Sequence, residues 1–246
     1  MAPWPYPRWI AHRGAGKLAP ENTLAAFRLG AAHGYRMFEC DVKLSADGVP
    51  FLLHDATLER TTSGQGRAAD LPWAALSQLD AGGWHSRAYA GEPPPTLEAL
   101  ARFIRANGFT LDLEIKPTPG QERETGTAVA RAVRSLWAGD AVPPLLTSFR
   151  PDALHAAMEA APELPRGLLL DELWSGWEGV ARSLGCVAVV TNHRLMDAAL
   201  LERIRALGGR ALCYTVNEPA DAQRLIALGL DGIVTDAVDR FAPAAA

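Results

Sequence analysis

The sequence predicts a (β/α)8 barrel, an α/β fold whose parallel sheet closes on itself. Its 246 residues suit one such barrel of roughly 250 residues, with no remainder for a second ordinary domain. Short β-rich runs alternate with segments of helical spacing through eight units. A doubly wound open sheet is the alternative, but eight regular units without a Gly-rich nucleotide loop favour closure.

In chain order the strand runs are residues 8–11, 37–42, 110–115, 145–149, 167–170, 187–191, 211–216 and 232–235. Helical spacing fills 22–32, 97–106, 124–137, 152–160, 176–184, 197–207 and 220–228, with a short tail after Asp236. Thr96, followed by Leu97 and Glu98, marks a helix start, and Asn22 is the expected cap of the first helix. Gly108, Gly185, Gly208 and Gly229 stand where helices should end.

Two stretches break the rhythm. Asp47-Gly48 lies between two alternating runs and reads as a hairpin. With the turn centred near Ala46 and Asp47, Leu44 faces Val49, and His54 returns beside Glu39 at the barrel mouth. Residues 56–95, with three consecutive prolines and unpatterned glycines, read as an insertion on the catalytic face of a single domain spanning 1–246. The Ala-rich end, 242–246, is expected to fray.

Composition narrows the function classes. The 48% hydrophobic content supports a sizeable core. Net charge is −4 with cations spread along the chain, which argues against a nucleic-acid or anionic-membrane surface. The opening Met1-Ala2-Pro3-Trp4-Pro5-Tyr6-Pro7 lacks the pattern of a signal peptide, and no apolar run approaches ~18 residues. A cytoplasmic protein without stable membrane association is the expectation. Cys40, Cys186 and Cys213 are widely spaced and odd in number, which fits reduced, buried thiols better than disulfides or a zinc site.

Barrel active sites gather at the C-terminal ends of strands. Those ends carry His12-Arg13, Glu39 and Asp41, Glu114 and Lys116, Ser148, Thr191 to His193, Thr215 to Asn217, and Thr235-Asp236. Two-residue periodicity puts Glu39 and Asp41 on one strand face and pairs Glu114 with Lys116. Three carboxylates in one mouth repel unless a cation sits among them. Oxygen ligands alone select a hard ion, Mg²⁺ or Ca²⁺, with Mn²⁺ the further option. Arg13 and Lys116 suit phosphate oxygens. His12 and His54 suit a base and acid pair, assigned in that order, although the pattern also permits the reverse. Ser148 is placed to touch substrate but has no neighbouring base to make it a nucleophile. Asp112 reads as a buried partner for Lys116, Glu21 as a helix-start residue that could brace Arg13, and His193 as undecided. Trp73 and Trp84 read as packing for the insertion.

These residues also resemble a known family. His12-Arg13-Gly14, Pro20-Glu21-Asn22-Thr23, Glu39-x-Asp41, His54-Asp55 and Glu114-x-Lys116 are similar to the signature of the glycerophosphodiester phosphodiesterases. The likeness continues through Leu79-Asp80-Ala81-Gly82, Gly91-Glu92, Pro95-Thr96-Leu97, residues 214–217 and residues 231–236, covering essentially the whole chain. Tyr214 stands where that family more often has Trp, a change that bears on how glycerol or head group packs. The resemblance implies a barrel with an inserted subdomain, a divalent metal on Glu39, Asp41 and Glu114, and His12 and His54 as acid and base. It also implies hydrolysis of a small-molecule glycerophosphodiester to glycerol 3-phosphate and an alcohol. Two other functions compete: a related barrel phosphodiesterase acting on lysophospholipids, and a non-catalytic phosphate-ligand binding protein. The polar insertion argues against the first, and the paired histidines against the second.

Overall fold

The computed structural model describes residues 3–241 and 243, so the Ala-rich end apart from Pro243 lies outside the described residues. The strands are β1 (Trp9–Ala11), β2 (Met37–Leu44), β3 (Pro50–Leu52), β4 (Thr110–Ile115), β5 (Leu145–Ser148), β6 (Arg166–Leu170), β7 (Ala188–Asn192), β8 (Arg210–Tyr214) and β9 (Gly232–Thr235). The helices are α1 (Leu24–Ala32), α2 (Trp73–Leu76), α3 (Leu97–Ala106), α4 (Glu122–Leu136), α5 (Pro151–Ala160), α6 (Trp177–Ser183), α7 (Ala198–Ala206) and α8 (Pro219–Leu228). Strands β1, β2, β4, β5, β6, β7, β8 and β9 pair in parallel in that order, and β9 returns to β1. This is the closed TIM barrel that the alternation predicts. The tail after Asp236 differs, making turns at 238–240 and no helix up to Phe241.

Alternation along each strand divides the core from the site. On β4, Leu111, Leu113 and Ile115 pack against α3 and α4, while Asp112 and Glu114 face the barrel axis. On β2, Phe38, Cys40 and Val42 take the helix side, leaving Glu39, Asp41 and Lys43 on the other face. The lower interior is filled by Ile10, Met37, Leu145, Leu169, Ala188, Val190, Leu212 and Val234. Beneath it the Tyr6 hydroxyl donates to the Pro143 carbonyl at 2.7 Å. The barrel is thus apolar below and charged above.

Helix ends follow local chemistry. The Thr96 hydroxyl accepts the Ala99 N–H at 3.1 Å, and Gly108, Gly185, Gly208 and Gly229 all take positive φ just past their helices. The first helix departs from expectation. Thr23, not Asn22, caps α1 and accepts the Ala26 N–H, because Asn22 at φ +60° is turned toward β2. Within α1, Gly30 lies against the loop after β1: a Cβ there would meet the Gly14 carbonyl oxygen at 2.1 Å. Gly30→Ala should therefore destabilise the fold by about 1–3 kcal/mol through overpacking, despite alanine's better helix propensity. Urea unfolding checks this, and a stabilised variant would refute it.

The hairpin forms with a register one residue from the expected one. Leu44 pairs with Pro50 rather than Val49, and the Leu53 N–H reaches the Asp41 carbonyl. The cause is a three-residue turn, Ala46-Asp47-Gly48, closed by the Ser45 N–H on the Val49 carbonyl, with Gly48 at φ +78°.

Phe51 of β3 and residues after it build a small cluster in which Phe51, Leu53, Leu58, Ala68 and Leu76 are buried. Trp73 tilts over Phe51 at 5.8 Å, as its packing role predicts, whereas Trp84 is 43% exposed. The segment is tied to the β1–α1 loop and to the first turn of α1: His85 Nε2 lies 3.0 Å from the Lys17 carbonyl, and Glu92 Oε1 accepts the Ala25 N–H at 3.0 Å. All three cysteines are free; Cys40 and Cys213 are buried, but Cys186 is only half-buried. Among the described residues no helix is long and apolar enough to cross a membrane.

Candidate active site

At the C-terminal mouth of the barrel a cavity of about 200 Å³ is lined by His12, Arg13, Glu39, His54, Asp112, Glu114, Lys116, Thr147, Phe149, Tyr214 and Thr215, over a floor of Leu169, Val190 and Val234. Glu39 and Asp41 come from the middle of β2, and Glu114 comes from β4, where it is in register with Asp41. One carboxylate oxygen from each of the three lies within 4.8 Å of the others.

All three acids are buried. Burial first, then the neighbouring Asp41, pushes Glu39 well above the usual carboxylate range and Glu114 up to about 7. Burial opposes ionisation of Asp41 too, but Arg13, Lys116 and the Asn22 hydrogen bond hold it below that range. The triad therefore concentrates more acid than its own cations neutralise. Its oxygen-only donor set is one that a hard divalent ion fits. Arg13 approaches Asp41 at 3.2 Å and donates to Glu21 at 2.8 Å, while Lys116 pairs with Glu114 at 2.8 Å and lies over the Phe149 ring at 5.5 Å.

Each histidine is held by a carboxylate at the same ring nitrogen. Nδ1 of His12 lies 2.6 Å from Asp236, which the Asn217 amide braces at 3.1 Å. Nδ1 of His54 lies 2.7 Å from Asp55. Nε2 of His12 is 3.7 Å from Glu39. Fixing Nδ1 leaves Nε2 of both rings for chemistry. Burial lowers His54 below the usual imidazole value, although Asp41 pulls the other way. Burial would raise Asp236, yet its bonds to His12 and Asn217 bring it down to about 2.

A histidine pair, two cations and a carboxylate triad on a barrel mouth can be compared directly with known proteins. Residues 12–240 match the model of the Glycerophosphoryl diester phosphodiesterase family. The chain belongs to that family. It is 32% identical over 232 residues to a glycerophosphodiester phosphodiesterase of Caldanaerobacter subterraneus, covering 92% of this chain and 93% of that one. Among solved structures, an Oleispira antarctica phosphodiesterase in complex with the product sn-glycerol-3-phosphate superposes with a TM-score of 0.90 at 37% identity, covering 96% of this chain and 95% of that one. A glycerophosphodiester phosphodiesterase from Agrobacterium tumefaciens gives a TM-score of 0.81 at 28% identity, with 96% and 99% covered.

Within this phosphodiesterase, sequence reading and structure differ at specific residues. His12, Arg13, Glu39, His54, Glu114, Lys116 and Tyr214 line one cavity, with Asp41 directly behind it. Ser148 does not join them. It is fully buried, its hydroxyl donates to the Ile115 carbonyl at 2.7 Å and accepts from the Arg150 N–H, so it ties β5 to β4. Its neighbour Thr147 faces the cavity instead. Asp112 is not a partner of Lys116: it accepts the Thr147 hydroxyl at 2.7 Å, and burial raises it to about 7. His193 makes its contact with Asp221 and does not line the cavity. Glu21 does brace Arg13, as expected.

Several supporting residues escaped the sequence. Asn22 clasps Asp41 twice, donating to Oδ2 at 2.8 Å and accepting the Asp41 N–H at 3.1 Å. Arg60, from the segment after β3, bridges Glu21 and Asp55 and so connects Arg13 to His54. Lys43 is buried beside Lys116, donating to its carbonyl at 3.0 Å. Asp236 and Asn217 at strand ends, Asp55 next to His54 and Asn22 within Pro20-Glu21-Asn22-Thr23 stood in motifs of the sequence, whereas Arg60 and Lys43 gave no such signal. Asn22→Ala should cost about 2–4 kcal/mol by orphaning two polar groups of Asp41. Wild-type stability in urea would show that the clasp carries no such weight.

Proposed function

We propose that this phosphodiesterase hydrolyses glycerophosphodiesters such as glycerophosphocholine or glycerophosphoethanolamine to glycerol 3-phosphate and an alcohol. The observation that carries this reading is the pair of imidazoles, each fixed at Nδ1 by a carboxylate, lining one cavity beside the acidic triad. Glu39, Asp41 and Glu114 would hold one divalent cation, Mg²⁺ or Ca²⁺, with Mn²⁺ also compatible with oxygen ligands. Bound there, the cation supplies Lewis-acid stabilisation of charge on the phosphoryl group.

The chain's own residues do the rest. Arg13 and Lys116 orient the phosphoryl oxygens from two sides of the mouth. His12 removes the proton from the attacking oxygen through Nε2, while Asp236 stabilises the imidazolium that forms. His54 gives a proton to the departing alcohol, with Asp55 and Arg60 fixing its ring. Tyr214 and Phe149, edge to face at 5.6 Å, form an aromatic wall for the glycerol or head group. Residues 56–95 act as an insertion over this face, and their anchors on Glu21 and Ala25 hold the loop that carries Arg13.

The test is turnover of glycerophosphocholine with Mg²⁺, Ca²⁺ or EDTA, assaying glycerol 3-phosphate. Release of inorganic phosphate would make the enzyme a phosphatase. Turnover of a 2-deoxyglycerol substrate selects water as the nucleophile over the glycerol 2-hydroxyl.

A further inference from the structure

The catalytic cavity has a neighbour. His54, Glu114, Lys116 and Phe149 form a shared wall, and beyond them lies a second hollow of about 400 Å³, bordered by Lys43, Asp55, Pro117 and Arg150. Strand alternation places Lys43 on the face of β2 that carries Glu39 and Asp41, one step further out.

Lys43 is 2% exposed. Its ammonium has three donors, and one goes to the Lys116 carbonyl at 3.0 Å. Among the described residues no carboxylate stands at ion-pair distance from it. The nearby acids are engaged elsewhere: Asp55 with His54 and Arg60, Glu114 with Lys116. At the outer rim Arg150 is 61% exposed and shares Glu122 at 3.2 Å. Asp41, Glu114 and Asp55 act on it only through space, so a buried cation with no carboxylate in bonding contact, on the wall of an open hollow, suits an anion that arrives with a ligand.

We propose that this hollow is the subsite for the leaving alcohol, and that it takes an alcohol carrying an oxyanion of its own, a phosphomonoester or a carboxylate. The proposal rests on the phosphodiesterase reading above. The glycerophosphoryl half fills the inner cavity, and the P–O bond that breaks lies between the two spaces, where His54 stands. The phosphorus–oxygen bond to the attacking oxygen forms as the bond to the alcohol breaks. His54 returns one proton to the alcohol oxygen, and the second anionic group is untouched. Lys43 meets that group from the wall and Arg150 from the rim.

The experiment compares kcat/KM for four substrates that share the glycerophosphoryl half. Their leaving groups are choline, glycerol, serine and glycerol phosphate. The last should exceed choline by about tenfold or more, the worth of a charge-assisted hydrogen bond, with serine reporting whether a carboxylate suffices. Lys43→Met, which keeps the apolar stem, should bring that ratio down toward unity. Arg150→Gln, at an exposed position that folding tolerates, should lower it less, and added salt should erode it. Equal rates in the wild type, a preference for choline, or a ratio unmoved in both variants would overturn the subsite alone. No turnover of any of the four would overturn the activity and the subsite together.

Discussion

Replacing His54 by alanine is expected to lower kcat on glycerophosphocholine by about 10²–10⁴-fold, the usual worth of a positioned proton donor. Among the described residues the ring's hydrogen bond is to Asp55, and the ring is partly open to the cavity, so the variant should fold, and its thermal unfolding should stay close to wild type. The acid role has its own signature. A substrate whose leaving group is p-nitrophenolate needs no proton from the enzyme, so His54→Ala should recover much of its lost rate there. His12→Ala should not, because the attacking oxygen still needs a base. If the rescue attached to His12 instead, the two roles would be exchanged. A His54→Ala enzyme within tenfold of wild type on both substrates would remove His54 from the chemistry.

The other large effect concerns the triad. Chelation with EDTA should abolish turnover, and Mg²⁺ or Ca²⁺ should restore it. Asp41→Asn should depress kcat/KM by about 10²–10³-fold even with the cation in excess, since Lewis-acid stabilisation amounts to several kcal/mol. Asp41 is also the residue that Arg13, Lys116 and Asn22 all reach, so its loss disturbs the site most. A binding readout separates these causes. Titration calorimetry should show a divalent cation bound by the wild type and more weakly by Glu114→Gln, and the cation should raise Tm by mass action. Activity that persists in EDTA, or a Tm indifferent to Mg²⁺ and Ca²⁺, would count against a metal at this triad.

The motif residues were legible because strand periodicity is rigid. Glu39 and Asp41, or Glu114 and Lys116, two apart on barrel strands, must share a face, and strand ends at the mouth must converge. The supporting residues were illegible because their partners lie far along the chain. Asn22 looks like a helix cap, and local chemistry alone would make it one. Only the approach of β2 turns it over at φ +60° to clasp Asp41, leaving the cap to Thr23. Ser148 fails for the complementary reason: on a buried strand a one-residue difference sends Thr147 inward and Ser148 toward the neighbouring backbone.

By itself the sequence determined the barrel, the order of its elements, the hairpin and the residues crowding its mouth. These rest on periods of two and 3.6 residues and on glycine's freedom at turns, all written locally. Tertiary structure decided the clasp of Asn22 on Asp41, the Asp236 carboxylate behind His12, the bridge from Arg60 to Glu21 and the burial of Lys43 against the Lys116 carbonyl. Each depends on distances between segments tens or hundreds of residues apart, where hydrogen-bond geometry and burial, rather than local preference, set the outcome.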